Sequence, residues 1–184
     1  MIKKRIPFDL PASITPRSYQ WKFLEEAQRL VKQQPENWHL FTSPTGTGKS
    51  LMELMYLSLD SESLLITPRL EIIAGMLDKL GRYVDECTDE QLTDLGMLYG
   101  IYTPIRFRNI LADGRLPWYP SCLIIDEAHH SSADSYKDIS MYLNGVPTIG
   151  LTATGYRGTA KSTQDFYKQW NDTVNVVLDL ETAI

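Results

Sequence analysis

The sequence predicts an α/β fold, a mostly parallel central sheet with helices on both faces, and three observations carry that reading. Short apolar runs such as Leu64-Leu65-Ile66-Thr67 and Cys122-Leu123-Ile124-Ile125 are continuous rather than alternating, as strands covered on both faces must be. Amphipathic stretches with helical spacing separate them. One strand candidate, Trp38 to Thr42, runs through a glycine-containing loop, Ser43 to Gly48, straight into a helix that begins at Lys49.

Taken in order, Tyr19 to Val31 places Phe23, Leu24, Ala27, Leu30 and Val31 on one helical stripe, and Pro35 ends it. The helix from Lys49 carries Leu51, Leu54, Met55 and Ser58 on one face. After the Leu64–Thr67 strand, a stripe of Leu70, Ile73, Ala74, Leu77 and Leu80 runs to Gly81. Asp85 to Leu95 is acidic and polar, a surface connection or a short helix. Met97 to Thr103 is a strand candidate interrupted by Gly100, and Ile105 to Ala112 a helix before the Asp113-Gly114 turn. Past the strand at 122–125, Tyr136 to Leu143 is a helix closed by Asn144-Gly145. Thr148 to Thr152 is a strand, Phe166 to Trp170 a short helix, and Val174 to Leu178 the last strand.

Composition bounds the function. With 184 residues, 43% hydrophobic and 22% charged, the chain is a folded single domain rather than a disordered or fibrous one. Eighteen basic against 23 acidic residues give a net charge of −5, which argues against a broad non-specific nucleic-acid coat and leaves room for a local basic groove. Cys87 and Cys122 are too few for a disulfide framework, and Cys122 reads as a core residue. Met1 to Pro7 is basic without an apolar core, and no run approaches 18 apolar residues, so a cytoplasmic location is expected.

The chemistry is concentrated in two places. Ser43-Pro44-Thr45-Gly46-Thr47-Gly48-Lys49-Ser50 stands between a strand and a helix, the context a phosphate-binding loop requires. Its glycines let backbone N–H groups turn inward toward phosphate oxygens, and the helix N-terminus adds positive potential. Thr45, Gly46, Thr47 and Gly48 would cradle the nucleotide, Lys49 would reach the β- and γ-phosphates, and the Ser50 hydroxyl would face Mg²⁺. Ser43 stands where the strict pattern has glycine. Downstream, Leu123-Ile124-Ile125 runs into Asp126-Glu127-Ala128-His129, which places two carboxylates at the carboxyl edge of the sheet. Asp126 would hold Mg²⁺ and Glu127 would polarise the attacking water.

In that order, Ser43–Ser50, Asp126–His129 and Thr152-Ala153-Thr154 resemble motifs I, II and III of superfamily 2 helicases of the DExH kind. Arg17-Ser18-Tyr19-Gln20 is similar to their upstream Arg-x-x-Gln element, Thr67-Pro68-Arg69 to motif Ia, and Tyr102-Thr103-Pro104 to a backbone-contacting segment. The resemblance implies a RecA-like P-loop NTPase domain using ATP and Mg²⁺, with the 148–152 strand lying between the phosphate-loop strand and the Asp126 strand. It implies that Gln20 reads the adenine edge with Arg17 supporting the pocket, and that His129, Thr152 and Thr154 couple nucleotide state to nucleic-acid grip. It also implies phosphate-backbone contacts from Thr67, Arg69 and Thr103, with Arg106 and Arg108 as further candidates.

A superfamily 2 motor closes two RecA-like domains on ATP, so residues 1–184 are expected to be the first of these, residues 1–16 an N-terminal extension and 179–184 the start of a linker. The resemblance favours a DNA helicase of a bacterial or phage repair and recombination type, acting on single-stranded or branched DNA. A double-strand translocase of restriction-enzyme type and an RNA helicase stay open, as does a nucleotide-dependent binding module without turnover.

Overall fold

The computed structural model describes residues 5–116, 118–131, 134–153, 160–170 and 174–176. In chain order these form α1 (Ser18–Gln33), β1 (Trp38–Thr42), α2 (Lys49–Leu59), β2 (Leu64–Ile66), α3 (Leu70–Lys79), α4 (Asp89–Leu98), β3 (Ile101–Tyr102) and α5 (Pro104–Ala112). Then come β4 (Leu123–Ile125), a 3₁₀ turn at Ala128–His130, α6 (Asp134–Tyr142), β5 (Thr148–Thr152), α7 (Ala160–Gln169) and β6 (Val174–Val176). The strands form one sheet in the order β3-β2-β4-β5-β1-β6, every neighbouring pair parallel.

Strand periodicity builds two cores, one on each face. Phe41, Leu65, Ile124, Ile149 and Leu151 pack with α1, α2, α3 and α4. Their alternates Leu40, Leu64, Ile66, Leu123 and Ile125 pack with α5, α6 and α7. This is the period of two that sends successive side chains to opposite faces, with both faces apolar because helices cover both. At Gly150 the second face is filled from outside: a Cβ there would lie 2.2 Å from Trp170 Cη2, so the indole occupies the space a side chain would need.

Two segments differ from the sequence-based expectation. The strand proposed over Met97 to Thr103 is instead the end of α4, a turn at Tyr99-Gly100, and the two-residue β3. The reason is local: Thr88 caps α4 through reciprocal bonds with Gln91 (Thr88 N to Gln91 Oε1, 2.8 Å; Gln91 N to Thr88 Oγ1, 3.3 Å), and the helix then runs through Leu98. The helix proposed over Phe166 to Trp170 begins earlier, at Ala160.

The amino-terminal segment is part of the core. The buried Arg5 guanidinium donates to the carbonyls of Leu57, Asp60 and Ser61 at the C-terminal end of α2, and Ile6 N donates to Leu98 O at 2.6 Å. A cation at that end of a helix meets its negative pole. Thr154, the Gly155-Tyr156-Arg157 sequence and residues 177–184 lie outside the described residues.

Candidate nucleotide site

The loop between β1 and α2 is braced from inside. Ser43 N donates to Thr152 O at 3.0 Å, tying the loop to the end of β5. Thr47 Oγ1 donates to Pro44 O at 2.7 Å and lies 2.6 Å from Ser43 Oγ, so the Ser43 hydroxyl is the donor of that second bond. Ser43, a departure from the glycine pattern, is therefore a buried strut across the loop. Gly46 and Gly48 have φ of 83° and 81°, the left-handed conformation that turns the loop's amides toward one centre.

Helix α1 supports the loop from the other side. The Thr47 carbonyl accepts from Tyr19 Oη at 2.8 Å and from Gln20 Nε2 at 3.1 Å, while Gln20 Oε1 accepts from Arg17 N at 2.8 Å. Gln20 is buried, and both ends of its carboxamide hold protein groups; Arg17 is exposed at the same helix terminus. Thr45 and Gly46 are exposed at the loop's tip, and Lys49 and Ser50 are half-buried in the first turn of α2.

The acids arrive on β4. Asp126 N continues the sheet by donating to Ile66 O at 2.9 Å. The Asp126 carboxylate is nearly buried, with Oδ1 accepting from Glu127 N at 2.8 Å and Oδ2 from Thr67 Oγ1 at 2.9 Å. Burial raises its pKa, and those two donors work against the rise. Glu127 turns sharply outward with φ 48° and ψ 50°, the one non-glycine residue at positive φ among the described residues. Such a conformation costs about 1–3 kcal/mol and persists only where the surroundings hold it. Its Oε2 lies 3.2 Å from His129 Nδ1, which lies 3.0 Å from Thr152 Oγ1, so the acidic turn and the end of β5 are joined side chain to side chain. His130 is exposed, its ring tilted against that of His129 with centroids 4.2 Å apart.

β5 lies between β4 and β1, which brings loop, acids and threonine to one sheet edge. The sequence reading passed over Glu53, which lies on α2 one turn after Lys49 and is wholly buried. Burial first, and then Asp126, push its carboxyl well above the usual carboxylate range, with Lys49 pulling the other way. The Glu53 carboxyl and the Asp126 carboxylate are neighbours inside the domain. A lone acid inside the apolar run Leu51 to Leu57, one turn after Lys49, was the signal that could have found it. Also missed were Ser131, Gln169 and Trp170: Trp170 Nε1 donates to Ser131 Oγ at 3.2 Å and Gln169 Nε2 to Ser131 O at 3.3 Å, pinning the acidic turn to α7.

Among the nucleic-acid candidates, Thr67 needs correction. It is fully buried and its hydroxyl is used on Asp126, so it positions the acid and has no surface to offer a phosphate. Arg69 is exposed at the start of α3, and Thr103 is half-buried at the start of α5. The cleft beside Thr103 is also lined by Asp89, Glu90 and Asp94, and Arg106 lies 3.7 Å from Asp94. Arg108 lies 3.8 Å from Asp138.

The residues fit a magnesium–triphosphate ligand: a glycine loop at a helix N-terminus, a lysine, a hydroxyl, and a carboxylate at the end of a strand of the same sheet. Among the described residues no group of three or more His, Cys, Asp or Glu is arranged to hold a metal by itself. Mg²⁺ suits such a place, since it takes one or two carboxylates and completes its shell with water and substrate phosphates.

Residues 13–157 match the family described as "Type III restriction enzyme, res subunit". A curated relative, the "51.5 kDa protein" of Lactococcus phage (isolate 7-9), is 26% identical over 138 residues, 70% of this chain and 26% of the relative, so the chain spans about a quarter of that protein's length. Among solved structures, the Hef helicase domain of Pyrococcus furiosus superposes with a TM-score of 0.64 at 20% identity, over 88% of this chain and 37% of that one. The UvsW helicase of bacteriophage T4 gives 0.57 at 18% identity, over 95% and 64%. The SWI2/SNF2 ATPase core of Sulfolobus solfataricus, solved in complex with dsDNA, gives 0.59 at 15% identity, over 98% and 48%. At these identities the likeness is one of fold.

Proposed function

The chain belongs to the type III restriction enzyme res-subunit family, and on that premise we propose that it is the N-terminal, ATP-binding motor domain of an ATP-dependent DNA helicase. Its fold is the RecA-like α/β fold of superfamily 2 helicase domains. The observation that supports the reading is the sheet order: β5 lies between β1, which leads into the braced loop and Lys49, and β4, which ends at Asp126 and Glu127, and the end of β5 is bonded to both the loop and the acidic turn. The spans matched in its relatives, all below two thirds, support a piece of a longer chain with a second RecA-like domain.

In this reading the loop amides and Lys49 bind the triphosphate, with Ser50 and Asp126 holding Mg²⁺. The metal, when bound, neutralises charge building on the phosphates. Asp126 keeps its orientation through Thr67 and the Glu127 amide. Glu127 accepts a proton from the attacking water, and His129 and Thr152 register the change at the end of β5. Arg69 and Thr103 face the nucleic acid, gripping phosphates without base preference, as a motor on any sequence requires. Single-stranded or branched DNA is the substrate. The reading extends to work in repair or recombination; the phage source of the curated relative supports a bacterial or phage-infected cytoplasm as its setting. No described helix is long and apolar enough to cross a membrane.

Replacing Lys49 by Ala tests the reading. In the intact enzyme, Lys49→Ala is expected to remove ADP and ATP binding while leaving the circular dichroism and melting of the fold unchanged; wild-type nucleotide affinity in that variant overturns the site. A second reading, a double-strand translocase, is favoured by the restriction-subunit family and the dsDNA-bound relative. Strand displacement by the intact enzyme supports the helicase; triplex displacement without strand separation supports the translocase.

A further inference from the structure

We propose that Ser131 is a positioning residue for ATP hydrolysis: gripped by Gln169 and Trp170 of α7, it holds the acidic turn so that Glu127 faces the attacking water. The proposal rests on the nucleotide-site reading above and deepens it.

The turn argues first. His130 N donates to Glu127 O and Ser131 N to Ala128 O, both at 2.9 Å, so Glu127 and Ser131 are the two ends of one tight turn. Glu127, at its start, stands in the left-handed conformation and needs restraint from its surroundings. The contact of His129 with Thr152 supplies one restraint. Ser131 supplies another, at the far end.

The grip argues second. Ser131 is 0% exposed, and its side chain and carbonyl are both bonded to α7. The hydroxyl accepts from Trp170 Nε1 at 3.2 Å and donates to Gln169 Oε1 at 3.3 Å, while the carbonyl accepts from Gln169 Nε2 at 3.3 Å. Trp170 is fixed in its turn. Fully buried, its ring fills the space beside Gly150 of β5 and lies 5.2 Å, centroid to centroid, from Trp38 at the start of β1. β1 leads into the phosphate loop and β5 ends at Thr152. The indole thus refers the turn that carries Glu127 to the two strands that carry the loop and Thr152. A buried polar network with its groups paired holds one geometry, where an apolar contact would leave the turn free to slide. In a hydrolytic site, a misplacement of about 1 Å made away from the chemistry can cost about 100-fold in rate.

Turnover set against affinity separates this role from plain packing. kcat and KM for ATP, ADP affinity and thermal melting are measured in the intact enzyme for the wild type, Ser131→Ala, Gln169→Ala and Glu127→Gln. Ser131→Ala is expected to lower kcat by about 10–100-fold with KM and ADP affinity within about twofold of wild type, because the loop and Lys49 are untouched. Gln169 is only half-buried, so Gln169→Ala keeps the fold even where Ser131→Ala does not, and it is expected to lower kcat in the same way. A wild-type kcat in Gln169→Ala overturns the proposal and leaves the cluster a packing contact. So does a Ser131→Ala protein that melts earlier yet keeps its kcat per folded molecule, or one whose ADP affinity falls as far as its kcat. Failure of the nucleotide reading looks different: the wild type would not bind ADP, or Glu127→Gln would turn over ATP at the wild-type rate.

Discussion

A methyl group at position 48 would lie 2.7 Å from Gln20 Nε2, on a residue whose φ is 81°. Both the neighbour and the backbone resist it, since Gln20 is held by Arg17 N and Thr47 O. Gly48→Ala is therefore expected to cost about 1–3 kcal/mol in a urea titration and to weaken ADP binding, because Gln20 must release the Thr47 carbonyl to make room. A variant as stable as wild type would show that the loop tolerates another conformation. The residues of this site fall into two kinds by legibility. Lys49, Ser50, Asp126 and Glu127 stand in short patterns whose chemistry depends on residue type and order, and a sequence displays both. Thr67 owes its role to a partner distant in the chain. Thr67 meets Asp126 only because β2 pairs with β4, which a reading of local spacing cannot see.

At the scale of elements, the fit between β5 and α7 is tight enough to test. An alanine at Gly150 would drive its Cβ to 2.2 Å from Trp170, a side chain that is itself fully buried. Gly150→Ala is expected to destabilise the domain by about 1–3 kcal/mol, read by chemical denaturation. Combined with Trp170→Phe it should cost less than the two changes summed, because the smaller ring vacates the space. Strict additivity would mean that the two residues do not compete. Strand β1, between β5 and β6, supplies a pH test. His39 is buried in it with Nε2 3.1 Å from Gln34 O, and burial lowers its pKa from the ordinary 6.5, the Gln34 carbonyl opposing the change. The unfolded chain then takes the proton first. Stability contributed by neutral His39 is complete above about pH 6.5 and falls as pH drops toward the lower folded value. Urea midpoints at pH 7.5 and 5.5 should show a smaller acid loss for His39→Gln than for wild type. The elements most legible in the sequence were the continuous apolar strands and the helices with a clear stripe. α4 was not among them, because its inward face is narrow and its stop depends on the turn at Gly100.

For the whole molecule, two apolar cores on opposite faces of a parallel sheet make a stable platform, and its functional edge is at one end of that sheet. In the proposed function, a RecA-like domain of this kind would be one half of a closing pair. The arginines supplied by the other half are worth about 10³–10⁵ in rate. The 184-residue domain is accordingly expected to bind ADP yet to turn over ATP at least about a thousandfold more slowly than its intact parent with DNA present. Equal turnover, measured by phosphate release, would mean that the domain carries all of its catalytic groups.

Arg5 ties that platform to the tail of the chain. The rod that begins at Lys49 is eleven residues long, and its far end rests on a single guanidinium from the tail. A truncation past this arginine would leave the buried Leu57 carbonyl without its guanidinium donor and loosen the rod at that end. Nucleotide grip would then suffer from an injury made at the opposite pole of the helix, with every residue that touches phosphate intact.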